Sequence, residues 1–220
     1  MHPELSVLIP AYNAEPFLAE AVASVRAQTA KVETEILIYN DGSSDGTDEV
    51  ISSFGSGVVS WGSDGPPAGP AVGRNALLSR AQGRLVAFLD ADDLWLPDKL
   101  AKQLEVLARA EKPVAVFGSI QEFNANGPLG EYQAGALTSN CLLKRELALS
   151  VGPFETSLRI GDFADWLSRL KDLGVEFDYS AGPVVRRRNH ADNLGKRMAA
   201  NRSDYLQVIR RKLQRERSSS

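Results

Sequence analysis

The chain has 220 residues, 43% of them hydrophobic, which suits one well-packed domain or one domain with a small appendage. A formal charge of −3 and a pI near 5.5 give no indication of a nucleic-acid partner. The lone Cys141 excludes an intrachain disulfide and points to a reducing compartment. The start "MHPELSVLIP" lacks a signal-peptide pattern, and no apolar run approaches the roughly 20 residues that span a bilayer. The expectation is a soluble, cytoplasmic chain. The average charge hides an asymmetry, because Val184 to Ser220 hold eleven Lys and Arg against three Asp and Glu. A basic C-terminal segment on an acidic body suits phosphate groups or an anionic membrane surface, and a solvated charged helix has the same composition.

In chain order, short apolar runs alternate with segments of helical period. "LSVLI" (5–9), "EILIYN" (35–40), "VVSW" (58–61), "RLVAFLD" (84–90) and "VAVFG" (114–118) read as strands. Between them, residues about 15–28, 46–54, 70–82 and 97–111 read as helices, with Pro97 suited to a first helical position and Gly83 to a stop. Asp45 is expected to cap the second helix, with Asp48 reaching back in a capping box. This alternation predicts a parallel sheet covered on both faces. From about residue 119 the pattern changes. "QEFNANGPLGEYQAG" predicts a loop or two short strands, and "ALTSNCLLKRELALSVG" a strand and a short helix, with Cys141 a buried inert thiol. Residues 162–173 form an amphipathic helix, with Phe163, Trp166, Leu167 and Leu170 on one face and Gly174 ending it. "GPVVRRR" reads as one more strand, and about 196–217 as a basic terminal helix.

The fourth strand ends in "FLDADD", three carboxylates around Ala91 that repel one another and resist burial. A cation or a hydrogen-bonding ligand makes such a cluster tolerable. Ligands of open α/β sheets bind at the carboxyl ends of the strands, where this cluster lies. Other strand ends are also polar: "IPAYNAEPF", "YNDGSSDGTDEV" and "DGPPAGPAVGRNALL".

Taken in order with "FLDADDLWLPDKL", these segments resemble the family 2 glycosyltransferases, inverting nucleotide-sugar enzymes of the GT-A fold. The resemblance runs through about residues 5–118. A weaker set follows in "SNCLLKRE", "VGPFETSLRIGDFADWL" and "RRRNHADN". It implies a GT-A type α/β fold, a Rossmann-like, mostly parallel sheet flanked by helices. Residues 1–118 would be the nucleotide-sugar-binding half, 119–195 an acceptor-side α+β half of the same domain, and 196–220 a basic helix or tail.

The implied chemistry fits the residue types. A sugar nucleotide carries a diphosphate whose charge a hard cation, Mg²⁺ or Mn²⁺, neutralises through carboxylate oxygens. Residues i and i+2 of an extended segment point the same way, so Asp90 and Asp92 would aim at one ion. By resemblance, Asp92 is the direct metal ligand, and Asp90 faces the ribose or the ion through water. His190 completes the metal shell or touches the diphosphate, with Arg187 and Arg188 as further phosphate contacts. Asp93 equally suits a turn anchor. Asp41 resembles the family's base-contacting aspartate, which favours UDP. Pro10, Tyr12 and Asn13 would shape the nucleotide pocket around Ala91, and Arg74 would meet phosphate or base.

The family's catalytic base is the Asp of a Glu-Asp pair opening a helix. Here Gly161 stands where Glu is expected, leaving Asp162 as the candidate base, with Asp165 one turn on and within reach of Arg169 at i, i+4. The expected function is metal-dependent, inverting transfer of a sugar to an acceptor hydroxyl on a glycan, peptide or small molecule. The alternative is a non-catalytic sugar-nucleotide-binding or scaffold protein, which Gly161 alone supports. "PAYNAEPF" replaces the Gly-x-Gly-x-x-Gly turn of a nicotinamide site, and no Gly-rich, Arg-containing loop of a nucleotidyltransferase follows the first strand.

Overall fold

The computed structural model describes residues 3–197 and 202–218. The apolar runs form β1 (Leu5–Ala11), β2 (Thr34–Asn40), β3 (Val59–Gly62) and β4 (Leu85–Phe88), with α1 (Leu18–Arg26), α2 (Thr47–Ser53) and α3 (Pro70–Arg80) between them. The two-residue β5 (Leu94–Trp95) and α4 (Lys99–Arg109) follow. The second half holds β6 (Val114–Asn124), β7 (Gly127–Gly135), β8 (Leu142–Lys144), α5 (Arg145–Ser150), α6 (Asp162–Asp172) and β9 (Glu176–Arg188). A short α7 (Leu194–Arg197) and α8 (Arg202–Ser218) come last. The terminal helix expected over about 196–217 crosses residues 198–201, which lie outside the described residues.

One sheet runs in the order β3-β2-β1-β4-β8-β6-β9-β5, with β7 paired to β6. Strands β1, β2, β3 and β4 pair in parallel, as do β6 and β9, whereas β8, β5 and β7 run antiparallel to their neighbours. Alternation along β1 sends Val7 and Ile9 to one face and Leu8 to the other. The first face packs against Leu18, Val22 and Val25 of α1 and Leu100 of α4. The second packs against Leu77 and Leu78 of α3 and the apolar stripe of α6. Burial of both faces requires the near-continuous apolar strands of the sequence.

The second half is more regular than expected. The polar, Gly-rich stretch after residue 119 forms a long antiparallel hairpin rather than a loop or short strands, and β9 extends to 13 residues. Each long strand pairs with β6 over most of its length, with irregularities in the register, which satisfies much of the backbone despite weak patterning.

Two local expectations are corrected. The helix after Pro97 begins at Lys99 with Asp98 as its N-cap. Gly83 lies beyond the end of α3, where a Cβ would sit 2.5 Å from Ser6 N, so close approach to β1 explains it.

Candidate active site

The strand order reverses at β1, which has β2 on one side and β4 on the other. Outside the carboxyl ends of these strands lies the crevice where such sheets bind ligands. Strand β4 ends at Phe88, two residues before Asp90, so the acids do not lie on an extended segment. Asp93 N donates to Asp90 O at 3.0 Å, closing a turn. Within it Asp93 is 3% exposed, accepting from Ser139 Oγ at 2.6 Å and from Arg188 N at 3.0 Å. Burial, then the charges of Asp92 and Asp90, push its pKa well above the ordinary carboxylate range. Asp93 therefore anchors the turn.

Asp90 and Asp92 thus sit on a turn rather than on the extended segment expected, and each carboxylate has partners of its own. Asp90 Oδ1 accepts from Arg74 Nη2 at 2.9 Å. The other terminal nitrogen, Arg74 Nη1, donates to Asp162 Oδ2 at 2.5 Å. The Arg74 side chain is 6% exposed, held by α3 beneath the crevice, with its guanidinium 5.9 Å from the Phe154 ring centroid. Burial opposes the guanidinium charge, and Asp162 and Asp90 more than offset it, raising its pKa. Asn75 fixes the neighbouring loop by exchanging hydrogen bonds with the Phe154 backbone at 2.9 and 2.7 Å.

Asp162 opens α6, where unpaired amides favour a negative charge. Gly161 is its N-cap with φ +81°, a left-handed conformation that a Glu would adopt only under strain. Asp165 faces elsewhere. Its carboxylate accepts from Arg169 Nε at 2.9 Å and Arg215 Nη1 at 3.4 Å, joining α6 to α8. Arg169 continues to the carbonyls of Val151 and Pro153. Of the two candidate bases, only Asp162 joins the Asp90 cluster; Asp165 is a buried strut.

Asp92 turns toward the end of β9 and α7. His190 Nε2 lies 2.9 Å from Asp92 Oδ2, and Asn193 Nδ2 donates to the same oxygen at 3.1 Å. Arg188 Nε donates to the Asp92 carbonyl at 3.0 Å, and Arg187 pairs with Glu122 at 3.1 Å. Burial and the neighbouring Asp90 raise the Asp92 pKa, with His190 acting in the opposite direction. Ser139 and Asn193 escaped the sequence reading, although Asn193 closes the quoted "RRRNHADN".

Among the described residues, no three His, Cys, Asp or Glu side chains form a group that could hold a metal ion. The expected set of Asp90, Asp92 and His190 is thus not preformed. The residues nevertheless fit a hard cation shared with a substrate. Asp90 Oδ2 and Asp92 Oδ1 accept no hydrogen bond from another described residue, and one or two carboxylates plus substrate phosphates suffice for Mg²⁺. The buried side-chain polar atoms without a partner, among the described residues, are Arg74 Nε and His190 Nδ1, both from this cluster. Unmet polar groups concentrated in one place are a mark of a ligand site.

The nucleotide-side candidates line the β1 and β2 ends. Tyr12 is 42% exposed. Asn13, at φ +48°, accepts from Ser44 N at 2.8 Å and so ties the β1 loop to the β2 loop. A Cβ on Gly73 would meet Pro10 Cβ at 3.0 Å, so Gly73 lets α3 approach β1 closely. Both Asp41 oxygens accept backbone amides, Ala68 N at 3.1 Å and Gly69 N at 2.7 Å, which hold the loop leading into α3. The capping box expected at α2 is absent. Gly46 is the N-cap, Asp45 accepts from Thr47 and Glu15, and Asp48 accepts from Asn40 Nδ2 at 2.7 Å. Cys141 is fully buried and its thiol pKa is pushed up to about 12, as expected of an inert thiol.

The family model for glycosyl transferase family 2 matches residues 6–164, from β1 into the first turn of α6. The chain belongs to that family. This family 2 glycosyltransferase is 31% identical over 185 residues to UDP-Glc:alpha-D-GlcNAc-diphosphoundecaprenol beta-1,3-glucosyltransferase WfgD of Escherichia coli, spanning 78% of this chain and 71% of that protein. Its fold is similar to that of S. aureus TarS 1-349 in complex with UDP, with a TM-score of 0.75 at 18% identity over 94% of this chain. It is also similar to the mannosyltransferase PcManGT from Pyrobaculum calidifontis in complex with GDP-Man and Mn²⁺, with a TM-score of 0.77 at 17% identity over 97% of this chain. At those identities the likeness shows the fold, and the GT-A expectation stands. The chain spans 63% and 65% of these two solved chains.

Proposed function

We propose that the chain transfers a sugar, with inversion and with a divalent cation, from a UDP-sugar to an acceptor hydroxyl by direct displacement. The observation that carries this reading is the Arg74 bridge. It joins Asp90, 16 residues away on the donor side, to Asp162, 88 residues away at the head of α6, in one buried network. A donor-side acid and a candidate base share a fixed geometry, as a single-step displacement requires.

Asp162 Oδ1 takes the proton of the acceptor hydroxyl as that oxygen bonds to the anomeric carbon. The bond from that carbon to the diphosphate breaks on the opposite face, and the electron pair leaves with the nucleoside diphosphate. Arg74 and the α6 N-terminus hold Asp162 in place during attack. Asp92 with Asp90, His190 adjoining, would hold a divalent cation, which would supply neutralisation of the leaving diphosphate. Tyr12, Asn13, Pro10 and Asp41 enclose the base. UDP is favoured because WfgD is named for UDP-Glc and TarS was solved with UDP. WfgD is also named for a diphosphoundecaprenol-linked acceptor, which favours a lipid-linked sugar hydroxyl here.

Thermal stabilisation by UDP-, GDP- and dTDP-sugars, with and without Mn²⁺, tests the donor; the largest shift is expected with a UDP-sugar and Mn²⁺. For Asp162→Asn we expect transfer to be lost with donor binding retained. Transfer persisting in that variant, or a product that keeps the donor's anomeric configuration, would falsify the mechanism.

A further inference from the structure

Helix α8 is amphipathic in an unusual sense. Its inner face carries Asp204, Arg211 and Arg215, which hold it to the body. Asp204 Oδ2 accepts from the amides of Arg159 and Ile160, Arg211 pairs with Glu155, and Arg215 with Asp172 and Asp165. The opposite face carries Leu206, Ile209 and Leu213 at i, i+3, i+7, exposed by 54%, 55% and 47%. Arg210 and Arg217 border this ridge on one side and the Lys212–Glu216 pair on the other, and no described residue pairs with either arginine. Asp204, Arg211 and Arg215 anchor the helix inward beside Val208, and Leu206, Ile209 and Leu213 face outward. A solvated helix has the reverse pattern.

The geometry points to the outer face of α8 as a docking surface for an anionic lipid bilayer. A narrow aliphatic ridge with two arginines along one side matches a helix lying in the headgroup region, its side chains entering the acyl boundary and its cations meeting lipid phosphates. Charge complementarity decides the occupant. Helix α8 holds six Lys and Arg against two Asp and Glu, while the chain before Val184 is acidic, so an anionic surface attracts this helix and repels the body. Three aliphatic side chains are too few for a stable protein interface of about 800 Å² per partner.

The placement also serves the reaction. Tyr205 and Val208 approach Gly161, where a Cβ would lie 3.4 Å from Val208 Cγ2 and 3.7 Å from Tyr205 Cδ1, and Asp162 is the next residue. A bilayer seated on α8 is one helix away from the residue before the candidate base, which would bring a lipid-linked hydroxyl near it. This inference rests on the proposed transfer only for that last step; the docking itself needs no donor.

The test is co-sedimentation of the full chain with vesicles of phosphatidylglycerol and phosphatidylcholine, or of phosphatidylcholine alone. We expect binding to the anionic vesicles, weakened by salt, and a loss of about tenfold or more in Arg210→Glu/Arg217→Glu and in Leu206→Ser/Ile209→Ser/Leu213→Ser. Donor hydrolysis without vesicles and Tm should stay unchanged in both variants. Absence of binding to anionic vesicles, or binding undiminished in the charge-reversed variant, overturns the proposal. A concentration-dependent dimer that the triple variant abolishes overturns it in favour of a second copy. Vesicle binding without any sugar transfer leaves the docking surface standing and removes the proposed reaction instead.

Discussion

Arg74 was expected to meet phosphate or base, and its guanidinium instead spans two carboxylates from different elements. The planar fork presents several donors in fixed directions, and an ammonium is a compact point charge. Arg74→Lys therefore keeps the charge and loses the bridge. We expect kcat/KM to fall roughly 10²-fold through misplacement of Asp162, with donor affinity changed far less. Steady-state kinetics beside donor titration reads this split, and a fall confined to KM would show that Arg74 only binds substrate. At the same scale, the acids of "DADD" divide their tasks by burial. Asp93 is sealed under Ser139 and the Arg188 amide, while Asp90 and Asp92 each keep one oxygen without a hydrogen bond from another described residue.

At the scale of elements, α6 and α8 act together on the segment before Asp162. Gly161 departs from the family's Glu-Asp pair, and its φ of +81° gives the departure a conformational cause. Restoring the pair with Gly161→Glu puts a side chain into a left-handed conformation, at a cost of about 1–2 kcal/mol. For a chain of this size we expect Tm to drop by roughly 2–8 °C, without a gain in transfer. An unchanged Tm in differential scanning calorimetry would contradict the strain argument. Asp204 is the matching anchor on α8, its one oxygen taking two amides of the loop that leads to Gly161. The scarcity of pattern in 119–135 and the length of β9 belong to this scale too. Both became strands because a neighbouring edge was available to pair with them.

At the scale of the whole molecule, stability carries a pH dependence set in the core. Lys99 is fully buried, its ammonium 4.0 Å from the Trp95 ring centroid, donating to Gln103 Oε1 at 2.5 Å. Burial lowers its pKa to about 7, while in the unfolded chain it titrates near 10.4. Between these values the unfolded chain binds a proton that the folded chain lacks, so stability rises with pH across that window. Below about pH 7 the destabilisation is complete. Lys99→Met has no such proton. The unfolding free energy of the native chain should therefore gain on that of the variant by up to about 4 kcal/mol between pH 7 and 10. Urea unfolding at several pH values measures the difference, and a constant difference refutes the buried-charge account.

The strands and helices of the first half, the stripe of α6 and the acids at the end of β4 could be read directly, because periodicity and local spacing are properties of covalent neighbours. Those same properties carried the family resemblance and the candidates Asp90, Asp92, Asp162 and His190. They could not say which of these side chains meet. Asp92 and His190 are 98 residues apart, Arg74 and Asp162 are 88, and Arg159 and Asp204 are 45. Those meetings depend on how the crossovers stack the elements, and on whether the chain after a strand stays extended or turns, as it does at Asp90. The amino-acid order alone therefore determined the family, the layers and the cast of acids, since each is written in short-range pattern. Only the packed molecule decided that Arg74 joins Asp90 to Asp162, that Asp165 is a strut, and that α8 turns its leucines outward, because partner choice is settled by three-dimensional proximity.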